Sequence, residues 1–157
     1  MKKIKQKVVA VSGGFDPIHI GHIRLIQEAK KLGNKLVVIL NNDNWLKKKK
    51  TCIFMRQDER REILESIEGV DRVVITRHGR NPKDMSVSKE ILKIKPGIFA
   101  NGGDRKTEKD VLETEACRKI ECKLVFNVGH SGKVQSSSLL LSEYVNKWRK
   151  NQKLKKV

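Results

Sequence analysis

Residues 12–22 read Ser12-Gly13-Gly14-Phe15-Asp16-Pro17-Ile18-His19-Ile20-Gly21-His22, between an apolar run at 8–11 and a helical pattern at 23–32. This order predicts a buried strand that turns into a helix. At the carboxyl end of a parallel strand, backbone N–H groups and the positive end of the next helix converge on one crevice, which favours phosphate. His19 and His22 are spaced i, i+3 at the helix start, so their rings can project to the same side. The sequence therefore predicts an anion site with two imidazoles.

The rest of the chain alternates between strand-like and helix-like segments. Strands are predicted at 8–11, 35–40, 71–76, 98–101 and 123–128, and helices at 23–32, 56–68, 87–94, 107–120 and 136–148. Right-handed crossovers then require a parallel sheet. The predicted fold class is α/β, a Rossmann-like parallel five-stranded sheet with helices on both faces in a single domain.

The positive charge is concentrated in a few segments. The net charge is +17, but residues 1–7, 47–50 and 149–157 hold lysine and arginine without any acidic residue, and the remainder is nearly balanced. We therefore expect a basic N-terminal segment at 1–7, a folded domain at 8–148 and a basic C-terminal tail at 149–157. Such basic ends can bind polyanions without specificity.

Several classes of protein are disfavoured by the composition. No apolar run is long enough to suggest a membrane span, and the basic N-terminus lacks the apolar region of a signal peptide, so a cytoplasmic protein without membrane contact is expected. A basic nucleic-acid-binding protein is the non-enzyme alternative. It ranks second because aromatic residues are scarce and no helix combines a basic face with base-reading side chains.

The loops after four of the five predicted strands carry Gly, His, Asn and Ser. These loops are 12–22, 41–50, 101–105 and 129–138, whereas the loops at the opposite edge contain little beyond turn residues. A scaffold without a ligand has no reason to concentrate these residue types on one edge. The asymmetry predicts a ligand site along the carboxyl edge of the sheet.

The combination G-x-F-D-x-x-H-x-G-H after a first strand resembles the signature of the nucleotidyltransferase superfamily typified by glycerol-3-phosphate cytidylyltransferase. The resemblance covers about residues 8–144. It implies transfer of a nucleoside monophosphate, with CMP favoured, from a nucleoside triphosphate to a small phosphorylated alcohol or sugar, releasing pyrophosphate. It also implies Mg²⁺ with the nucleoside triphosphate and a homodimer.

One segment leaves the nucleotide open between CTP and ATP. Asn101-Gly102-Gly103-Asp104, followed by a long charged segment, is more similar to adenylyltransferases that act on heptose phosphate. The alternative function is therefore adenylyl transfer from ATP to a sugar phosphate or a related phosphate. A nucleotide-binding regulator without turnover is a third possibility, which the intact histidine motif disfavours.

The resemblance also implies roles for individual residues. The histidines would donate hydrogen bonds to the α-phosphate, and Lys49 or Lys50 would act from a lysine run that resembles a mobile loop. The expected nucleotide-binding residues are Gly13, Gly14, Phe15, Asp16, Gly21, Gly103, Asp104, Arg105, Lys133, Ser136, Ser137 and Ser138. Arg60 and Asn41 are expected to bind the acceptor. Phe15 as core and Asp16 as the residue that orients the turn are the structural alternatives, and no metal ligand is expected from the chain itself.

Overall fold

A parallel sheet forms the centre of the molecule. The computed structural model describes residues 7–103, 105–129 and 135–154. For residues 153 and 154 it describes the backbone alone. Within these residues the strand order is β3-β2-β1-β4-β5, and every pairing is parallel. The strands are β1 (Val8–Gly13), β2 (Lys35–Leu40), β3 (Arg72–Ile75), β4 (Ile98–Ala100) and β5 (Lys123–Val125).

Helices cover both faces of the sheet. They are α1 (Ile20–Lys31), α2 (Asp43–Lys50), α3 (Gln57–Glu65), α4 (Ser88–Ile94), α5 (Thr114–Lys119) and α6 (Ser137–Leu154), with a 3₁₀ turn at Glu108–Asp110. These elements confirm the predicted fold class. No helix in the described part of the chain is long and apolar enough to cross a membrane.

Alternation along the strands divides the core into two layers. Val9 and Val11 of β1 pack with α1 and α3, whereas Ala10 between them packs with α4 and α5. All three residues are fully buried. Strands covered on both faces need continuous apolar runs, which explains the sequences of β1 and β2.

The strand order creates a crevice above β1. The chain steps outward from β1 through β2 to β3, and then returns to place β4 on the other side of β1. The loops after β1 and β4 therefore diverge at their carboxyl ends, and this switch point is where open α/β sheets bind ligands.

The lysine run is helical, so the expectation of a loop at these residues is wrong. Asn42 begins the helix: its side chain accepts a hydrogen bond from the backbone N–H of Trp45 at 3.0 Å. Residues 47–50 form the last turn of α2, where cations interact favourably with the helix dipole. The asparagines within 41–44 suggested a loop, but Asn42 instead caps the start of a helix.

Other boundaries also differ from the predictions. Helix α3 ends at Glu65, before the predicted end at residue 68. The charged segment at 107–120 is broken, because Val111 is extended between the 3₁₀ turn and α5. Helix α6 continues past Trp148 to Leu154, so the first residues of the predicted tail are helical. Residues 143–154 contain neither Gly nor Pro, which is consistent with this continuation.

Candidate active site

A cavity of about 310 Å³ lies over the carboxyl ends of β1 and β4. Its lining comes from the two strand ends, the start of α1, the end of α2 and the start of α6. The lining residues are Ser12, Gly13, His19, Gly21, His22, Leu25, Lys50, Ala100, Asn101, Gly102, Gly103, Arg105, Val128, Gly129, Gln135, Ser136, Ser137 and Ser138. The cavity therefore brings together ten of the predicted site residues.

The backbone at the start of α1 fixes the tautomer of both histidines. The Nδ1 of His19 accepts a hydrogen bond from the backbone N–H of Gly21 at 3.1 Å. The Nδ1 of His22 accepts one from the backbone N–H of His19 at 3.2 Å. Because a neutral imidazole carries one proton, an accepting Nδ1 leaves that proton on Nε2. Both rings therefore have an Nε2–H donor on the side away from the helix backbone.

The surroundings of the histidines keep both rings neutral. The rings stack with centroids 3.8 Å apart, and the ring of Phe15 lies 4.8 Å from that of His22. Burial, and then the nearby His19 and Lys50, together lower the pKa of His22 to about 3. Burial, and then Lys50, also lower the pKa of His19. At neutral pH the site therefore presents uncharged N–H donors rather than imidazolium ions.

Gly21 makes the position of the His19 ring possible. A Cβ at residue 21 would lie 2.9 Å from Cε1 and 3.1 Å from Nδ1 of His19. The glycine thus leaves room for the ring to fold back over the first turn of α1 and accept the hydrogen bond from the Gly21 backbone.

Lys50 is the member of the lysine run that lines this cavity. Its Nζ donates a hydrogen bond to the backbone carbonyl of Asp16 at 2.8 Å. Burial lowers the pKa of its ammonium group. Lys49 lines a neighbouring cavity, and Lys48 reaches the side chain of Asn81 at 2.6 Å. The four lysines cannot be told apart in the sequence, but the helical turn directs their side chains to different places.

Phe15 and Asp16 hold the loop together and do not line the cavity. Phe15 is buried and adopts a positive φ of 50°. The carboxylate of Asp16 accepts hydrogen bonds from the backbone N–H groups of Phe54 at 2.9 Å and Met55 at 2.7 Å. These contacts match the structural alternatives for both residues. Gly14 also lies outside the lining, and it packs against Leu46, to which a Cβ at this position would come within 2.9 Å.

Arg60 is a structural residue, which contradicts its expected role in acceptor binding. Its guanidinium is fully buried and donates to the carbonyls of Met55, Gly14 and Asn41 at 2.9, 2.6 and 2.8 Å. It also forms an ion pair with Asp43 at 2.6 Å. This guanidinium ties α3 to the ends of β1 and β2, and these contacts leave it no exposed face for a substrate.

A second cavity, of about 490 Å³, adjoins the first. The two share Ser12 and Arg105. The remaining lining residues are Asn41, Trp45, Lys49, Met85, Val87, Asp110, Leu112 and Glu113. Asn41 is thus in a position that suits the predicted acceptor role, although it is separated from the histidines by Ser12.

The start of α6 closes the first cavity. The hydroxyl of Ser137 donates to the carbonyl of Pro17 at 2.8 Å, which joins α6 to the loop after β1. Ser136 accepts from the backbone N–H of Leu139 at 3.4 Å. Asp104 and Lys133, which the sequence places in the nucleotide site, lie outside the described residues.

Some of the lining residues have no individual role predicted from the sequence. Ser12, Asn101, Gly102, Gly129 and Gln135 carry no chemistry that identifies them in isolation. Their shared signal is position, since each lies at a strand end or in a loop on the carboxyl edge of the sheet. Glu113 of the second cavity gives no such signal, because it belongs to a charged segment predicted as a helix.

Comparison with known proteins identifies the family. The model of the cytidylyltransferase-like family matches residues 10–140, which is most of the chain. The chain belongs to the cytidylyltransferase-like family. The match begins inside β1 and ends inside α6, so this family domain includes both cavities.

Two curated relatives are similar to this family member. An FAD synthase of Ferroglobus placidus is 37% identical over 109 residues, covering 69% of this chain and 67% of the relative. The bifunctional protein HldE of Aliarcobacter butzleri is 36% identical over 123 residues, covering 77% of this chain. The chain spans about a quarter of the HldE protein (24%).

A solved structure agrees with the fold. The crystal structure of the lipopolysaccharide core biosynthesis protein from Thermoplasma volcanium has a TM-score of 0.68 and 26% identity. The alignment covers 80% of this chain and 99% of that chain. The fold, the family match and the enzymatic relatives together identify this protein as a nucleotidyltransferase of the cytidylyltransferase-like family.

Proposed function

We propose that this enzyme transfers the adenylyl group of ATP to a small phosphorylated acceptor and releases pyrophosphate. The observation that carries the proposal is the pair of neutral imidazoles, whose Nε2–H groups stand free of the helix backbone in a cavity at the switch point. Fixed N–H donors in such a site are suited to a phosphate on which negative charge develops.

The relatives favour ATP over the CTP that the first motif suggests. FAD is a dinucleotide that contains adenine, so a protein named FAD synthase makes an adenylyl compound. The likeness of residues 101–104 to heptose-phosphate adenylyltransferases points the same way. CMP transfer from CTP is the competing assignment.

The reaction follows from the arrangement of donors. An oxygen of the acceptor phosphate forms a bond to the α-phosphorus of ATP, and the bond from that phosphorus to the bridging oxygen breaks. The electron pair leaves with pyrophosphate. His19 and His22 donate hydrogen bonds to the α-phosphate as its charge rises, and catalysis consists mainly of positioning and charge stabilisation.

Other cavity residues suit the β- and γ-phosphates. Lys50 supplies positive charge to the lining. Ser136, Ser137 and Ser138 stand at the start of α6, where unpaired backbone N–H groups and the helix dipole attract anions. We assign these groups to the triphosphate and its pyrophosphate product.

Mg²⁺ enters this proposal as part of the substrate. Among the described lining residues of the first cavity there is no carboxylate, and the carboxylate of Asp16 is occupied by two backbone N–H groups. Hard cations such as Mg²⁺ prefer oxygen ligands. The phosphate oxygens of ATP therefore supply the ligands, and no step is assigned to a protein-bound metal.

The test is pyrophosphate release with each of ATP, CTP, GTP and UTP in the presence of Mg²⁺. The acceptor panel contains FMN, hexose and heptose phosphates, and glycerol 3-phosphate. We expect ATP to support turnover with at least one acceptor, and His22→Ala to lower kcat by about 100-fold or more while the protein stays folded. Turnover with CTP but not ATP would replace adenylyl transfer with CMP transfer.

Thermal stabilisation supplies a control that does not depend on the acceptor. A ligand that binds only the folded state raises its apparent stability. We expect ATP to raise Tm more than inorganic triphosphate does, at a salt concentration that suppresses binding to the basic termini. Equal shifts with all four nucleotides and with triphosphate would contradict a base-reading site.

A further inference from the structure

The second cavity contains the two unexplained polar atoms of the described structure. Among the described residues, two buried side-chain nitrogen or oxygen atoms have no hydrogen-bond partner: Oδ1 of Asn41 and Oε2 of Glu113. Both residues line the second cavity. Asn41 is 4% exposed and Glu113 is 3% exposed. Buried polar atoms are nearly always hydrogen-bonded in native proteins, so two orphans in one cavity require an explanation.

Existing contacts hold the backbone of Asn41 and one carboxyl oxygen of Glu113. The backbone of Asn41 is fixed on both sides, because its N–H donates to Gly13 at 2.9 Å and its carbonyl accepts from Arg60 at 2.8 Å. The other carboxyl oxygen of Glu113 accepts from the backbone N–H of Val87 at 2.8 Å. A rotation that satisfied Oε2 would break this bond. The carboxyl group of Glu113 is therefore held in place, and the backbone that carries the Asn41 side chain is fixed.

Both free atoms are oxygens with lone pairs that can accept hydrogen bonds. The amide oxygen of Asn41 has no proton, so its partner must be a hydroxyl or an N–H group, and a carboxylate oxygen accepts from the same groups. The same two atoms disfavour a second anionic group at this depth of the cavity. One wall of the cavity is apolar and is formed by Trp45, Met85 and Leu112. The aliphatic carbons or an aromatic ring of a ligand can pack against it.

The cavity joins the histidine site through Ser12 and Arg105. Arg105 places positive charge at this junction, where an acceptor phosphate must lie to attack the α-phosphorus. A phosphate held there leaves the remainder of the acceptor to extend towards Asn41 and Glu113.

We infer that the second cavity binds the body of the phosphorylated acceptor, and that Asn41 and Glu113 select acceptors that present hydroxyl or N–H donors. This inference rests on the proposed function for the direction of the acceptor phosphate. The substrate class is a phosphate monoester on a hydroxyl-bearing or N–H-bearing body. Simple alkyl phosphates lack the required donors.

The experiment measures acceptor binding without nucleotide. The probes are FMN, a heptose phosphate, a hexose phosphate, glycerol 3-phosphate and n-alkyl phosphates of similar length, each titrated by its effect on Tm or by calorimetry. We expect a probe with hydrogen-bond donors to bind more tightly than the alkyl phosphates. Equal binding of both classes, or binding of none, overturns the inference. Comparison of FMN with the sugar phosphates shows whether the donors come from a flavin-bearing body or from a sugar.

Two variants connect any selectivity to the named oxygens. Glu113→Gln keeps an oxygen for Val87 and replaces the free oxygen by an N–H₂ donor, and Asn41→Leu removes the free amide oxygen. We expect each to raise the Kd of the donor-bearing probe at least about tenfold, with the alkyl phosphates unchanged. Glu115→Gln is the matched control, because Glu115 lies two residues further on, in the first turn of α5, and its side chain is largely exposed and pairs with Arg118.

The outcomes separate this inference from the proposed function. Unchanged Kd values in both folded variants overturn the inference even if ATP is turned over. Selective binding that both variants abolish supports it even if adenylyl transfer fails. Melting without ligand shows whether each variant is folded. If Glu113→Gln is unfolded, the Kd values of Asn41→Leu alone decide whether the inference stands.

Discussion

Two neutral histidines line the first cavity, and their protonation is set by their own neighbourhood. Each Nδ1 accepts from a backbone N–H group of the same helix start, and burial disfavours the charged ring. A neutral imidazole donates from Nε2 without the cost of desolvating a cation.

The lowered pKa of His22 makes stability depend on pH. In the unfolded chain His22 takes up a proton below its usual pKa of 6.5, whereas the folded protein resists protonation until about pH 3. The contribution of His22 to the free energy of unfolding is therefore fully present above pH 6.5, and it is lost as the pH falls from 6.5 towards 3. We expect His22→Gln to lose less stability than the wild type between pH 7 and about pH 4.5, by on the order of 2 kcal/mol.

Urea unfolding at the two pH values measures this difference. Glutamine is a suitable replacement because it can retain the hydrogen bond to the backbone of His19 in a capping box. Parallel pH dependence in the wild type and the variant would show that the ring is not kept neutral by the fold.

Gly21→Ala tests the stacking of the histidines. The added Cβ displaces the ring of His19, since its Cε1 would be only 2.9 Å away. We expect kcat/KM to fall about 100-fold, because small misplacements of a catalytic group have large effects on rate. The free energy of unfolding should stay within about 1 kcal/mol of wild type, because alanine favours the helix. Full activity would exclude a requirement for the observed ring position.

At the scale of elements, a buried arginine joins the strand ends to the helices. Arg60 of α3 reaches the loop after β1, the end of β2 and Asp43 of α2. The sequence shows a charged helix, and its pattern does not indicate that Arg60 is buried and Arg61 is not. Only packing distinguishes it from Arg61, whose side chain is 51% exposed and pairs with Glu65.

We expect Arg60→Leu to lower the free energy of unfolding by about 3–5 kcal/mol, because it leaves buried carbonyls and Asp43 without a partner. Arg61→Leu is the matched control and should change stability by less than about 1 kcal/mol. Chemical denaturation of both variants provides the measurement. A stable Arg60→Leu protein with weakened acceptor binding would restore the role that the sequence suggested.

Helix α2 selects one lysine for the first cavity. We expect Lys50→Met to lower kcat/KM for ATP by about 100-fold through loss of charge beside the phosphates. Lys48→Met is the control, since Lys48 binds Asn81 on the surface and should retain activity. Steady-state kinetics with varied ATP decides between them, and similar losses in both variants would indicate a general effect of positive charge.

At the scale of the whole molecule, one sheet connects the two cavities. The core layers on its two faces both include residues of β1, and β1 ends at the histidine loop. Most of helix α6 does not pack on the sheet, because its residues from Ser142 to Gln152 are exposed. Its first turn is tied to the site through Ser137, while the remainder extends the positive surface.

We expect the domain to unfold in a single cooperative transition. Trp45 packs beside the second cavity and donates to the carbonyl of Met85 at 2.8 Å, whereas Trp148 is 54% exposed. In Trp148→Phe, the fluorescence of Trp45 should change at the same denaturant concentration as the far-ultraviolet circular dichroism. Separate transitions would show that the cavities and the sheet are independent units. In Trp45→Phe, the remaining Trp148 should give a smaller fluorescence change.

Local sequence was sufficient for the architecture and for the chemistry of the first motif. The continuous apolar runs could only be strands covered on both faces, and their alternation with helices implied a parallel sheet. The glycines and histidines after β1 then stood at the one edge where such sheets bind ligands. The basic composition of residues 47–50 and the serines at 136–138 were visible in the same way.

The tertiary structure decided which side chains act together and which support the fold. It buried Arg60, separated Lys50 from Lys49, and brought Glu113 beside Asn41 across 72 positions of sequence. Periodicity and motif spacing report on neighbours within one element. Burial and hydrogen bonding between distant segments depend on how the elements pack, so a charged residue in a helix can be solvated, structural or substrate-binding with the same local sequence.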